Sequence, residues 1–427
     1  EVLAARLGRL DDALVAFDEA EAAKPKLAAC REARVRALRP ANRPAPLADA
    51  LAARRKAEPL ELGKVERAGL LREEAELRGF ALQDLPAARA LLLEALGTGA
   101  PASWGQDERE TLRCLLRIER RMGLGAPLAD HLEAGAGLEK DASRRADLLV
   151  EAGRVRRQRE DDALRARQLL ERALEADPQR LEAVRWLATI AREQKDQPTL
   201  ARWTAREAEL EPDAKRKAVL LVRLAAGQKK EPAVSRATYE KALEHDPDCV
   251  EALRGLAPTL RAQKAYPDLA RTLQRLATLE QDRRVKVDRF CALGELNLLH
   301  LKQPSDARAA FDAALALAPS DLRALHGKAQ TLDAKKDAKA LVETVQLQLA
   351  ATARADQRIA LGKRVAELRQ DQLKDPTGAV LALEEVLLLA PEDDDAWRRL
   401  RDIHLERRDW RALAACYEGQ ARRTVDL

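Results

Sequence analysis

The side chains of this sequence that carry chemistry are spaced for recognition, not for reaction. Its five histidines, His131, His245, His300, His326 and His404, stand far apart. No Gly-rich loop ends in Lys-Ser/Thr to cradle a phosphate, and neither His-Glu-x-x-His nor Gly-x-Ser-x-Gly occurs. The acidic run Pro391–Asp395 would attract a cation, but it lacks the alternating ligand spacing of a calcium loop. Acidic residues at a helix N-terminus are expected from the helix dipole alone. Cys30, Cys114, Cys249, Cys291 and Cys416 are odd in number, widely spaced and free of any Cys-x-x-Cys pair. They read as small core or loop residues in a reducing compartment. No catalytic residue, metal or cofactor is assigned, and the chain is not expected to be an enzyme.

What does recur is a ladder of arginines. Glu182/Arg185, Glu251/Arg254 and Asp395/Arg398 each stand three residues apart, Arg323/His326 is a variant, and a similar frame takes in Arg113. Arg120, Arg192 and Arg261 follow Arg113, Arg185 and Arg254 two helical turns further along the same face. A guanidinium offers a planar fork of donors that matches a carboxylate. The candidate partner-binding set is therefore Arg113, Arg120, Arg185, Arg192, Arg254, Arg261, His326 and Arg398. Two plainer readings stand beside it. One is an i, i+3 salt bridge inside each helix, worth about 0.2–0.5 kcal/mol. The other is simple duplication, copied without use.

The ladder exists because the elements that hold it repeat. Ala173–Ile190, Ala242–Leu260, Ala314–Leu332 and Val386–Ile403 read almost alike, and their prolines, Pro178, Pro247, Pro319 and Pro391, are spaced 69, 72 and 72 residues apart. Each repeat holds helical segments with apolar residues three and four apart, as at Leu322, Leu325, Ala329 and Leu332. Pro ends the second helix because it cannot continue the hydrogen-bond ladder. Linkers of two to five residues make consecutive helices antiparallel neighbours. Residues 138–427 divide into about eight helical hairpins, and the whole chain into about twelve. Residues 1–137 are less regular: Arg39–Pro46 is a proline-rich loop, and the Gly/Pro-rich stretch 97–137 is expected to bend or flex the array.

The hairpins resemble the tetratricopeptide repeat. Ala13, Phe17, Ala20 and Pro25 follow that family's spacing of small, bulky, small and proline residues, as do Ala307, Phe311, Ala314 and Pro319. Ser235, Tyr239, Ala242 and Pro247 follow it with one substitution, Leu7-Gly8 matches the family's tight turn, and Trp397 and Leu293-Gly294 match its first helix. Alternate hairpins depart from it, with Leu200, Leu269, Leu341 and Leu413 at the small position. The resemblance implies an all-α, right-handed α-solenoid superhelix of tetratricopeptide-like hairpins, and it places the arginine ladder on the lining of a concave, peptide-binding groove.

Composition narrows the function classes. The chain has 427 residues, 34% of them charged and only 3% aromatic, and 76 basic against 71 acidic residues leave a net charge of +5. Charges of both signs alternate along the helices, so the basic stripe with stacking aromatics that nucleic acid requires is missing. No apolar run approaches 18 residues. The reading is a scaffold or adaptor that binds protein or peptide segments, with acidic stretches favoured, nucleic acid not expected and oligomeric state open. The alternative is a recognition arm of a larger enzyme or machine whose catalytic part lies outside this chain. Unpaired cysteines point to the cytoplasm, with a bacterial envelope location after loss of a leader as the alternative.

Overall fold

The computed structural model describes residues 9–24, 28–57, 62–97, 104–228, 230–333 and 336–425. Pro25 and the Leu7-Gly8 pair, quoted above for the first repeat, lie outside them. Every regular element among the described residues is helical. The chain forms two compact units, 1–211 and 212–427.

The first unit contains α1 (Leu10–Ala23), α2 (Ala28–Leu38), α3 (Pro44–Ala57), α4 (Lys64–Glu76), α5 (Leu85–Leu96), α6 (Gln106–Met122), α7 (Ala126–Leu138), α8 (Ala142–Glu160), α9 (Ala163–Ala176), α10 (Leu181–Glu193) and α11 (Gln197–Leu210). The second contains α12 (Ala214–Gly227), α13 (Pro232–His245), α14 (Val250–Ala262), α15 (Tyr266–Leu279), α16 (Arg283–Leu296), α17 (Pro304–Leu317), α18 (Leu322–Thr331), α19 (Ala338–Ala351), α20 (Ala355–Glu367), α21 (Pro376–Leu389), α22 (Asp394–Glu406) and α23 (Trp410–Val425). Within each unit a helix packs on the helix that follows it, and even-numbered helices also touch their even neighbours, as α4 touches α6 and α16 touches α18. Each unit is thus a helical-repeat solenoid, with the even helices first and the odd helices second in each hairpin.

Local chemistry explains the boundaries. Aspartate carboxylates accept a first-turn N–H at the start of many helices: Asp141 from Arg144 at 2.8 Å, Asp213 from Arg216 at 2.8 Å and Asp321 from Ala324 at 2.8 Å. In the turns after α10, α14 and α16 one residue takes the left-handed conformation, and at Lys195, Lys264 and Lys302 φ is 57°. That is an uncommon state for a side-chain-bearing residue, and no glycine marks these turns in the sequence. The proline-rich segment after α2 is shorter than the sequence predicts. Prolines fit the first turn of a helix, where no N–H is needed, so α3 already begins at Pro44. Likewise α6 and α7 occupy most of the stretch 97–137, and Gly135 and Gly137 lie inside α7.

The small and bulky positions of the repeat form its core. Ala166, Ala173, Ala242, Ala307 and Ala314 are fully buried, and Phe311 is also at 0% exposure. In the first unit one apolar cluster continues from Leu71 to Trp203. Small residues at these places let second helices approach closely, and the bulky residue between them fills the space against the neighbouring first helices.

Candidate functional site

The arginine ladder stands on the first helices α6, α10, α14, α18 and α22, and packing divides it into two kinds of member. In α10, Arg185 Nη2 lies 2.5 Å from Glu211 Oε2, and its Nε lies 3.4 Å from Glu207. In α14, Arg254 forks onto Glu280, with Nε and Nη2 donating at 3.0 and 2.6 Å. Glu211 and Glu280 both follow the last turn of a second helix and are buried. Arg120 of α6 forks onto Glu151 of α8 at 2.7 and 2.6 Å, and Arg398 pairs with Asp395. The i, i+3 pair read from the sequence therefore forms at Arg398, whereas Arg185 and Arg254 turn to glutamates 26 residues on. His326 occupies the same register, where the residue 26 further on is Thr352, and its Nε2 accepts from the Gln330 amide at 2.9 Å. Among the described residues, the side chains of Arg113, Arg192 and Arg261 make no hydrogen bond or ion pair, and all three are exposed.

The pairings set the electrostatics. The hydrogen bond from Arg254 holds the Glu280 carboxyl below its ordinary range, and the same contact raises Arg254. Glu151 raises Arg120 in the same way. Each such guanidinium is already matched with a carboxylate, while Arg113, Arg192 and Arg261 keep theirs available.

Two cavities adjoin the ladder, one in each unit. The first, of about 480 Å³, opens between α6, α7 and α8. Leu112, Leu116, Leu138 and Leu148 line its apolar part, and Arg113 and Arg120 stand at its edge. The second, of about 530 Å³, opens in the second unit along α14, α15 and α16, with Arg254, Arg261 and Arg289 above Leu269, Leu273 and Leu276. Arg254 and Arg261 stand in the second cavity as Arg113 and Arg120 do in the first, in each case seven residues apart. The cavities and the two glutamate partners were not foreseen from sequence. Glu211 and Glu280 carry a weak signal, since each follows a second helix at a constant distance from its arginine.

The remaining reactive side chains are occupied by structure. Asp393 caps α22 through the Ala396 N–H at 3.0 Å and lies 2.5 Å from Lys363 Nζ, so the acidic run begins a helix and meets a lysine. Among the described residues no cluster of three or more metal-ligating side chains occurs. His131 Nδ1 lies 2.9 Å from the fully buried Glu119, which also accepts from Arg89 Nε at 2.9 Å. His300 stacks on Tyr266 with ring centroids 4.2 Å apart. All five cysteines are free. Burial pushes the Cys114 thiol up to about 11 and the Cys291 thiol up to about 12, the opposite of what a nucleophile needs. No helix among the described residues is long and apolar enough to cross a membrane.

Residues 220–282, from within α12 to just beyond α15, match the family model described as the tetratricopeptide repeat. No curated protein sequence matches the chain. Among solved structures, YrrB, described as a TPR protein with an unusual peptide-binding site, is similar at 17% identity over 42% of this chain and 90% of its own, with a TM-score of 0.30. A structure of Naa15/Naa10 bound to HypK-THB is similar at 15% identity over 100% of this chain and 73% of the other, with a TM-score of 0.39. PilF of Pseudomonas aeruginosa is similar at 20% identity over 62% of this chain and 100% of its own, with a TM-score of 0.26.

Proposed function

We propose that in this helical-repeat chain, whose residues 220–282 match the tetratricopeptide repeat, the ladder face of the first helices is a non-catalytic surface that holds acidic segments of a protein partner. The observation that carries this reading is the division of the ladder. Arg113, Arg192 and Arg261 stay exposed and form no ion pair or hydrogen bond among the described residues, although carboxylates satisfy Arg120, Arg185 and Arg254 nearby. An exposed guanidinium on a rigid helix needs little ordering to form a forked pair with a carboxylate, so such positions favour binding. The matched arginines hold the helices in place, and the unmatched ones face the partner.

The test compares capture from native lysate by the wild-type chain and by Arg113→Glu/Arg192→Glu/Arg261→Glu. These three side chains break no ion pair when reversed, so the variant is expected to fold. A protein captured by the wild type and lost with the variant is the expected result. Equal capture by both would move the contact away from this face, and capture by neither would remove the scaffold reading.

A further inference from the structure

The cavity of the first unit gathers cations that form no ion pair. Arg109, Arg113, Lys140 and Arg144 line it, and among the described residues none of these side chains forms an ion pair or hydrogen bond. Arg109 Nε is buried and has no acceptor. The two acidic residues of the lining are spent elsewhere. Asp147 lies 2.9 Å from Arg180, and Glu139 Oε1 accepts the backbone N–H groups of Lys140 and Asp141 at 3.1 and 3.4 Å. Four cations thus surround an apolar floor, and neither carboxylate of the lining forms an ion pair with any of them.

The floor is shaped as well as apolar. Gly135 of α7 faces Leu112, Leu116 and Leu148, and a Cβ added there would stand 3.4 Å from Leu112 Cδ2 and 3.6 Å from Leu148 Cδ1. The missing side chain keeps the space open. A volume of about 480 Å³ is within the usual range of ligand pockets, about 300–1,000 Å³, and accommodates a branched aliphatic side chain with its flanking backbone. No aromatic ring lines it, so a nucleic-acid base finds nothing to stack on.

We propose that this cavity binds an acidic peptide segment which buries one leucine-like side chain on Leu112, Leu116 and Leu148 while its adjacent carboxylates fork onto Arg113 and Arg144. The inference deepens the scaffold reading and rests on it, by naming the chemistry of the partner at one place in the first unit. Apolar burial and charge pairing act together here: the anchor excludes water, and that strengthens each guanidinium–carboxylate pair at its edge.

Fluorescence anisotropy of the intact chain with a labelled peptide, acetyl-Asp-Glu-Leu-Glu-Asp-amide, tests the proposal. The same peptide with Ser for Leu, and a single-stranded DNA of equal charge, serve as comparisons. The Ser peptide is expected to bind about tenfold or more weakly, because a buried leucine side chain is lost. Arg113→Ala/Arg144→Ala, which removes two exposed and unpaired side chains, should weaken the Leu peptide about tenfold and lower its sensitivity to salt. Gly135→Leu, which fills the floor and leaves the charges, should bring the Leu peptide down to the level of the Ser peptide, with circular dichroism reporting that the helices persist. Equal binding of both peptides, indifference to Gly135→Leu, DNA binding as tightly as the peptide, or no saturation up to about 1 mM would each overturn it. The lysate capture separates the two readings. A partner that depends on Arg192 and Arg261 while the cavity variants do nothing leaves the scaffold standing without this site.

Discussion

At the scale of the residue, packing divides one arginine ladder into paired and unpaired members with different energetics. Glu280 keeps only 3% of its side chain exposed and lies against Arg254, itself about half exposed. Removing the guanidinium leaves a buried carboxylate short of a donor. We expect Arg254→Ala to lower stability by about 1–3 kcal/mol, read from urea unfolding. Arg261→Ala removes an exposed side chain with no ion pair, and its effect should stay within about 0.5 kcal/mol. Equal losses from the two variants would show that position on the ladder, not pairing, sets the energetics. Arg113, Arg254 and their kin share a register in the sequence. Glu211 and Glu280 keep a constant distance of 26 residues from their arginines, but packing decides whether the pair forms, since Glu139 stands 26 residues after Arg113 and accepts backbone N–H groups instead.

At the scale of the element, glycines within helices have opposite consequences depending on what they face. The Phe311 ring of α17 packs onto Gly294 of α16 and Gly327 of α18, and a Cβ at Gly294 would come within 2.6 Å of the ring. Gly327 is tighter still. Alanine normally favours a helix over glycine by about 1 kcal/mol, but overpacking costs about 1–3 kcal/mol. Gly327→Ala is therefore expected to lower the melting temperature. Gly135→Ala, whose new methyl meets Leu112 and Leu148 at ordinary contact distances, should raise it. Phe311→Ala should cost about 3–5 kcal/mol, since the ring is wholly buried between two helices. Thermal melts followed by circular dichroism compare all three variants, and the same sign for both alanines would refute the packing account. Leu293-Gly294 was recognisable in the sequence as a family motif, but the departure of the other hairpins from it concealed the rule. The glycine is present where the opposing second helix brings an aromatic ring, as Tyr239 does against Gly255.

At the scale of the whole molecule, the same arginine–carboxylate pairs make stability depend on acid. Arg254, Arg323 and Arg398 hold Glu280, Glu295 and Asp395 below their ordinary values through hydrogen bonds. The ordinary values are 4.5 for glutamate and 3.8 for aspartate. Because the folded carboxyls are lowered, the unfolded chain takes up protons first. Their contribution is complete above the unfolded value and is lost as pH falls through the folded one. The arginine side has the opposite sign, since Arg254 and Arg323 are raised above their ordinary values and lose their contribution only in strong alkali. A midpoint of urea unfolding that is level from about pH 8 to 5 and falls steeply below about pH 4.5 is expected. A midpoint unchanged at about pH 3.5 would mean that these pairs contribute little to the folded state.

Periodicity along the chain was enough to establish the helices, their pairing and the recurrence of the arginines. Each of these depends on contacts between residues close in sequence, or between one repeat and the next. The small and bulky positions, from Ala166 and Ala173 to Ala307, Phe311 and Ala314, were legible for the same reason. Less legible were Pro44 starting a helix and the left-handed turns at Lys195, Lys264 and Lys302, because those residue types also suit loops or helices elsewhere. Which arginines are satisfied, and where apolar floor meets unmatched charge, emerged only on packing. A glutamate closing one helix, a glycine within another and a leucine at the start of a third become neighbours through helix crossing, a relation between elements that no local pattern records.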